Sequence, residues 1–397
     1  MTRYYSMIAL ISSLLLCFSF FSGCLEYEMV SEKNSDALHL ENDTDKSMVL
    51  PEWMDDKYHD YASTMLFLQR LQNDFPELIN MFFIGESVLG RSIPCMKISN
   101  ENSSERKYAC VIDGGIHGNE WESTEACLYL AEFLLINFEN NETITKVLNN
   151  SIIYIIPIIN PDGRENNNRF NENGIDLNRN FNAHFGRIRG GSLPLGTIGG
   201  LKIPYIKRPV FIEKLGLDSL IKNRIWTNSG RKPFSEPETI AVHDFMLSIR
   251  NNLSFYVNCH TAMHTVFSVA EIDHEPEYKI TDQEHKVLKK VLTWCDSNTE
   301  YDTFSTEYVI AFGAGFAHHW VFKKFHVPSF CFEILSRDYE PYMDTGKHDH
   351  LVHWMKTTLP VFMFLLVNIQ DLYHWNLPSN YPRLPDGIPP KPLRESL

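Results

Sequence analysis

Apolar positions along the chain change period several times, and each change marks an element. Between Tyr58 and Phe75, residues Tyr61, Met65, Leu66, Leu68 and Leu71 recur at helical spacing, which predicts an amphipathic helix. Two β-rich runs follow over 78–84 and 91–98, and the intervening Gly85-Glu86-Ser87-Val88-Leu89-Gly90 predicts a hairpin between them. A strand over 108–112 ends at Gly114-Gly115, and 122–138 reads as a long helix. The nearly unbroken apolar run 152–159 suits a strand covered on both faces, and it stops at Asn160-Pro161-Asp162-Gly163.

Farther along, Ser235-x-x-Glu238 predicts a capping box at the start of a helix over 236–249, with a strand over 253–259 after it. A strand over 329–335 precedes a helical stretch from 351 to 372, which Pro360 should kink or divide. Lys356 in that stretch argues against a membrane span. Residues 184–233, rich in Gly, Pro and basic side chains, read as a loop-rich insertion with room for one short helix. Together these predict one α/β domain over 51–375.

The ends read differently. Arg3 precedes an apolar run from Met7 to Phe21, and Phe21-Ser22-Gly23-Cys24 follows, so 1–24 is expected to be an export signal. Its Ser-Gly-Cys junction resembles the lipobox of prokaryotic lipoproteins, in which the cysteine becomes the lipidated first residue. Residues 25–50 are expected to be a solvated polar tether, and 376–397 an extended Pro-rich tail. This places the domain outside the cell, secreted or held at the surface by a lipid.

Composition narrows the function classes. With 44% of 397 residues hydrophobic, a large core can form. A net charge of -14 argues against nucleic acid as the partner. Eight cysteines would be free to pair after export, yet several lie inside apolar runs and none shows a C-x-x-C spacing, so no bridge is assigned.

Candidate chemistry gathers where strands end. His117-Gly118-Asn119-Glu120 lies between a glycine-terminated strand and a helix, so a His and a Glu three apart can reach one cation. His260 closes the strand 253–259 in the same way and is the best candidate for a third ligand. Glu333, a carboxylate behind Phe330-Cys331-Phe332, needs either a chemical role or a core cation as partner. His264 and the group His348, His350 and His353 are read as ordinary polar residues rather than ligands.

Several motifs occur in order: Tyr58-His59-Asp60-Tyr61, 85–91, Gly114-Gly115-Ile116-His117-Gly118-Asn119-Glu120, Asn160-Pro161-Asp162-Gly163, Asp176-Leu177-Asn178-Arg179-Asn180-Phe181, Ser235-Glu236-Pro237-Glu238-Thr239 and Phe332-Glu333. On these the chain resembles the zinc carboxypeptidase family of the carboxypeptidase A type (M14) across roughly residues 55–372. The resemblance implies a single domain with a central mixed parallel and antiparallel sheet of about eight strands, helices on both faces and one Zn2+ per chain. It implies His117, Glu120 and His260 as zinc ligands, and Asn178 with Arg179 as the holder of a substrate's terminal carboxylate. Arg169 would polarise the scissile carbonyl, with Arg164 as its competitor. Glu333 would take the proton of a zinc-activated water and return it to the leaving amine.

The family also has a mobile tyrosine that closes over the substrate. An ungapped count back from Glu333 lands on Ala311, so Tyr308 takes that role only if the loop 309–315 shifts register. The same count puts His318 where the family lines its side-chain pocket. Residues 25–50 are too few and too polar for the folded inhibitory domain of digestive relatives, so an enzyme made active, and monomeric, is expected. The implied activity is release of C-terminal residues from peptides or proteins. A related amidase acting on cell-wall γ-glutamyl peptides, or an inactive surface binding module, stands as the alternative.

Overall fold

Strands that alternate apolar side chains on two faces need cover on both, and eight of them here form one mixed sheet. In the computed structural model the described residues are 49–51, 58–183, 185, 197–198, 201–202, 229–261, 263–269, 280–304, 315–334 and 348–378. The strands are β1 (Ile79–Glu86), β2 (Ser92–Ile98), β3 (Tyr108–Asp113), β4 (Ser151–Ile156), β5 (Leu253–Thr261), β6 (Thr265–Ser268), β7 (Asp302–Phe304) and β8 (Ser329–Ile334). Their order across the sheet is β1-β2-β4-β3-β5-β8-β6-β7. The four central strands β4, β3, β5 and β8 run parallel, and antiparallel pairings join β2 to β4 and β6 to β8. The mixed sheet of about eight strands is therefore observed.

Helices cover the two faces unequally. On one face lie α1 (Tyr61–Asp74), α2 (Trp121–Asn137), α3 (Glu142–Asn150), a helix α6 (Asp282–Asn298) and α8 (His348–Val367), packed on Cys110, Ile112, Phe255, Val257, Phe330 and Phe332. On the other face α5 (Pro237–Ile249) and α7 (Ala317–Phe325) pack on Val111, Ile156 and Tyr256. A one-turn helix, α4 (Pro161–Glu165), follows β4, and a short α9 (Ile369–Tyr373) ends the series. Because side chains alternate along a strand, Asn258, His260, Cys331 and Glu333 avoid the larger core and face the sheet side that carries α5 and α7.

Two local expectations are corrected. The run 152–159 stops being a strand at Ile156, because Pro157 has no N–H to give the ladder. The capping box at Ser235 does not form: Pro237 opens α5, Ser235 N donates to Asn180 Oδ1, and Glu238 accepts from Val88 N and Asn171 Nδ2. The last helix runs through Pro360 and breaks at Asn368, between α8 and α9. Of the insertion 184–233, a two-stranded ladder of Thr197–Ile198 with Leu201–Lys202 is described. The export signal with Cys24, most of the tether and most of the tail lie outside the described residues. Six cysteines, at 95, 110, 127, 259, 295 and 331, are buried and free.

Candidate active site

Three strand ends and one loop build the site. After β3 the chain turns through Gly114 and Gly115 and presents His117 and then Glu120, which occupies the N-cap position of α2. Glu120 makes no cap bond, because its carboxylate is turned toward two imidazoles. Gly118 is required here: a Cβ would stand 2.0 Å from the carbonyl carbon of Gly163, so the His117 loop lies directly on the Asn160–Gly163 turn.

His117 Nδ1 lies 2.7 Å from Glu120 Oε1, His260 Nδ1 lies 2.8 Å from Glu120 Oε2, and the two Nδ1 atoms are 3.1 Å apart. Among the described residues this trio is the one group of His, Cys, Asp and Glu with ligand atoms close enough to share an ion, all within 4.8 Å. Two imidazoles and a carboxylate suit zinc, whose tetrahedral ligands stand roughly 3.3 Å from one another. The far nitrogens are occupied as metal sites require: His117 Nε2 meets Asp176 Oδ1 at 3.0 Å, and His260 Nε2 meets Asn258 Oδ1 at 2.6 Å. The donor set and its outer partners therefore fit the ion.

Charge is balanced around this trio. Burial alone would raise the Glu120 carboxyl, but His117 and His260 beside it hold it well below the usual range. Asp176 is buried too, and Arg169, His117 and Arg179 more than offset that and keep it ionised. Arg169 donates through Nη1 to Glu120 Oε1 and through Nε to Asp176 Oδ2, both at 3.0 Å. Arg164 goes elsewhere: fully buried, it donates to His59 O and lies 3.8 Å over the Trp121 ring. The structure thus brings Arg169, not Arg164, to the trio.

Glu333 pairs in parallel register with His260, is partly buried and lies within electrostatic reach of Arg169. Asn178 and Arg179 sit in a single 3-10 turn, Leu177–Arg179. The Asn178 amide accepts from Ala317 N, and the Arg179 guanidinium lies 4.4 Å over Phe316. Gly315, at φ +82°, lets that segment approach: a Cβ there would be 2.1 Å from Arg179 O. His318 is buried, tilted against Phe316 and edge-on to His319, and its Nδ1 has no hydrogen-bond partner among the described residues. Tyr308 lies outside the described residues.

Two residues of this centre carry no role in the sequence reading. Asp176 lies in the quoted Asp176-Leu177-Asn178-Arg179 motif, and Asn258 lies two positions before His260, on the same strand face. Either could have been found by asking which polar residue shares a face or a turn with a ligand.

Burial and the neighbouring His319, His260 and Arg179 hold His318 well below its ordinary pKa, so the folded chain keeps it neutral. As pH falls below 6.5 the unfolded chain takes up a proton that folded His318 refuses, and stability is lost. Asp113 and Glu122, pushed up by burial to about 7, act in the opposite direction. The contribution is therefore read as a difference. Between pH 6.5 and 5.5, His318→Phe should gain roughly 1 kcal/mol relative to wild type in urea unfolding of the metal-free protein. A difference independent of pH would contradict a neutral His318.

The zinc carboxypeptidase family profile matches residues 64–196 and 222–348. The chain belongs to that family. Carboxypeptidase D of Anas platyrhynchos is 30% identical over 224 residues, which are 52% of this chain and 15% of that protein. Carboxypeptidase O of Bos taurus is 26% identical over 227 residues, 54% of this chain and 52% of that protein. The chain thus spans about half or less of these curated relatives. Among solved structures, carboxypeptidase A from Helicoverpa armigera superposes with a TM-score of 0.56 at 21% identity, covering 79% of this chain and 74% of that one. This shared architecture agrees with the mixed sheet described above. Among the described residues, no helix is long and apolar enough to cross a membrane.

Proposed function

We propose that the chain is a zinc-dependent metallocarboxypeptidase that hydrolyses the C-terminal peptide bond of peptides and proteins. The observation that carries this reading is the convergence of His117, Glu120 and His260 at the sheet edge where Glu333 and Arg169 also lie. Held by those three side chains, a zinc ion would supply a Lewis acid that acidifies water and polarises a carbonyl.

Glu333 accepts the proton of the attacking water and returns it to the amine as the C–N bond breaks and a C–O bond forms. Arg169 donates to the oxyanion that develops on the scissile carbonyl. Arg179 and Asn178 bind the terminal carboxylate, for which the planar fork of Arg179 supplies two parallel donors. Tyr308 closes over the bound residue, and His318 lines the pocket for its side chain. The site therefore acts beside a free carboxylate without a covalent intermediate.

The same reading takes the domain as a monomer, exported behind residues 1–24 and held by a lipid on Cys24 as a prokaryotic surface lipoprotein. Its export rests on the sequence of Met7 to Cys24. The test is reconstitution: purified chain stripped with a chelator should release no amino acids from a mixed peptide library, and readdition of zinc should restore release from the C-terminal end. Activity that survives removal of all metal would overturn the assignment.

A further inference from the structure

Behind His260 stands a chain of buried side chains that the reaction itself does not use. Asp113 on β3 is the register partner of Asn258 on β5, and Asn258 precedes His260 by two residues. Asn258 Nδ2 donates to Asp113 Oδ1 at 2.5 Å, and Asn258 Oδ1 lies 2.6 Å from His260 Nε2. Asp113 accepts a second bond, at 2.6 Å, from the Tyr256 hydroxyl. Asp113, Asn258 and Tyr256 are completely buried, and His260 is 2% exposed.

A carboxamide can present either its oxygen or its nitrogen to a neighbour. Asp113 removes that choice, because a carboxylate oxygen accepts and so fixes the nitrogen toward itself. The remaining oxygen then faces His260 Nε2 and is satisfied only when Nε2 carries the ring proton. Nδ1, the nitrogen that faces Glu120 and His117, is left with its lone pair. We propose that Asp113, acting through Asn258, is a positioning residue that fixes His260 as an Nδ1 ligand. The inference rests on the zinc reading above.

One further contact competes with it. Asn178 Nδ2 is also 2.9 Å from His260 Nε2. One proton cannot serve both contacts: with Nε2–H donating to Asn258, the Asn178 NH2 group is released from the ring. That amide is one of the two groups assigned to the substrate carboxylate, so the same proton position readies the ligand and frees the clamp. The relay also tolerates protonation of Asp113, which burial pushes up to about 7. A proton on Oδ2 can be donated to the Tyr256 oxygen, while Oδ1 goes on accepting from Asn258.

The experiment measures zinc affinity by chelator competition, together with the His260 Nε2–H resonance in zinc-loaded, 15N-histidine-labelled protein. Asp113→Leu, which leaves no acceptor for Asn258, should weaken zinc binding by about 10- to 100-fold, the usual effect of losing an outer partner, and should shift or broaden that resonance. Asn258→Leu should weaken binding by a similar factor, and the double variant by no more than either single one, since both break one relay. Tyr256→Phe, which removes only the second donor to Asp113, should lower the melting temperature and leave affinity and resonance in place. If Asp113→Leu fails to fold, Asn258→Leu against Tyr256→Phe decides the matter. Unchanged affinity and resonance in Asp113→Leu or Asn258→Leu would overturn the proposal, as would an equal loss in Tyr256→Phe. Wild-type protein that takes up no zinc would instead overturn the proposed function itself.

Discussion

Glu333→Gln is expected to lower kcat/KM by roughly 100- to 10,000-fold, the range that a positioned general acid and base contributes, with one zinc per chain retained. The size of the effect follows from what the amide lacks. Glutamine fills the same space beside His260 on the neighbouring strand, yet it can neither accept a proton from water nor carry one to a leaving amine. Metal content should persist because the three converging ligand groups are His117, Glu120 and His260, without Glu333. Kinetics on a C-terminal dipeptide and elemental zinc analysis of the same preparation read both halves. Full activity in Glu333→Gln would remove the general base from the mechanism, and loss of zinc with activity would make Glu333 part of the metal site.

The second large effect is expected at Arg179. Removing one partner of a desolvated charge pair costs about 2–4 kcal/mol, or roughly 30- to 1000-fold in affinity. Arg179→Met should therefore depress kcat/KM by that factor for peptides with a free terminus. Methionine preserves an apolar stem against Phe316, where the guanidinium now stacks at 4.4 Å, so the fold should survive. Arg179→Lys should recover only part of the loss, because an ammonium supplies a charge without the planar fork. Steady-state kinetics of the two variants on the same peptide provide the check. Equal rates for wild type and Arg179→Met would exclude this residue from the carboxylate clamp.

Much of this centre was legible in the chain because its members end apolar runs. His117 and Glu120 follow a strand that hydrophobic patterning announces, His260 and Glu333 are the next-to-last residues of theirs, and parallel neighbours necessarily end at one edge. Arg169 and Arg164 could not be separated that way. Five residues apart in one polar stretch, they differ only in what the fold places beside them: Asp176 and Glu120 for one, His59 O and Trp121 for the other.

Between 261 and 328 lie four elements that the alternation of apolar positions does not mark out. Strands β6 and β7, of four and three residues, are too short to show a period. Helices α6 and α7 were within reach. The Thr281-x-x-Glu284 box that opens α6 is realised in full, with Thr281 Oγ1 accepting from Glu284 N. The similar pattern at Ser235 fails because Asn180 takes the Ser235 and Glu236 amides and Pro237 fixes the first turn. A local signature holds only where tertiary neighbours leave its groups alone.

Asp113 and Asn258 show a different limit. Polar side chains inside a strand look accidental in a sequence, and their meaning appears only once β3 and β5 are paired in register. The carboxylate then orients the amide, and the amide orients the ligand.

The most direct measurement compares one peptide in two forms, with a free C-terminal carboxylate and with that carboxylate amidated, as substrates for the zinc-loaded chain. A zinc site beside the Asn178 and Arg179 clamp predicts release of the last residue from the free form at least about 100-fold faster, from the cost of leaving a desolvated charge unpaired. Equal rates on both forms, or cleavage away from the terminus, would contradict it.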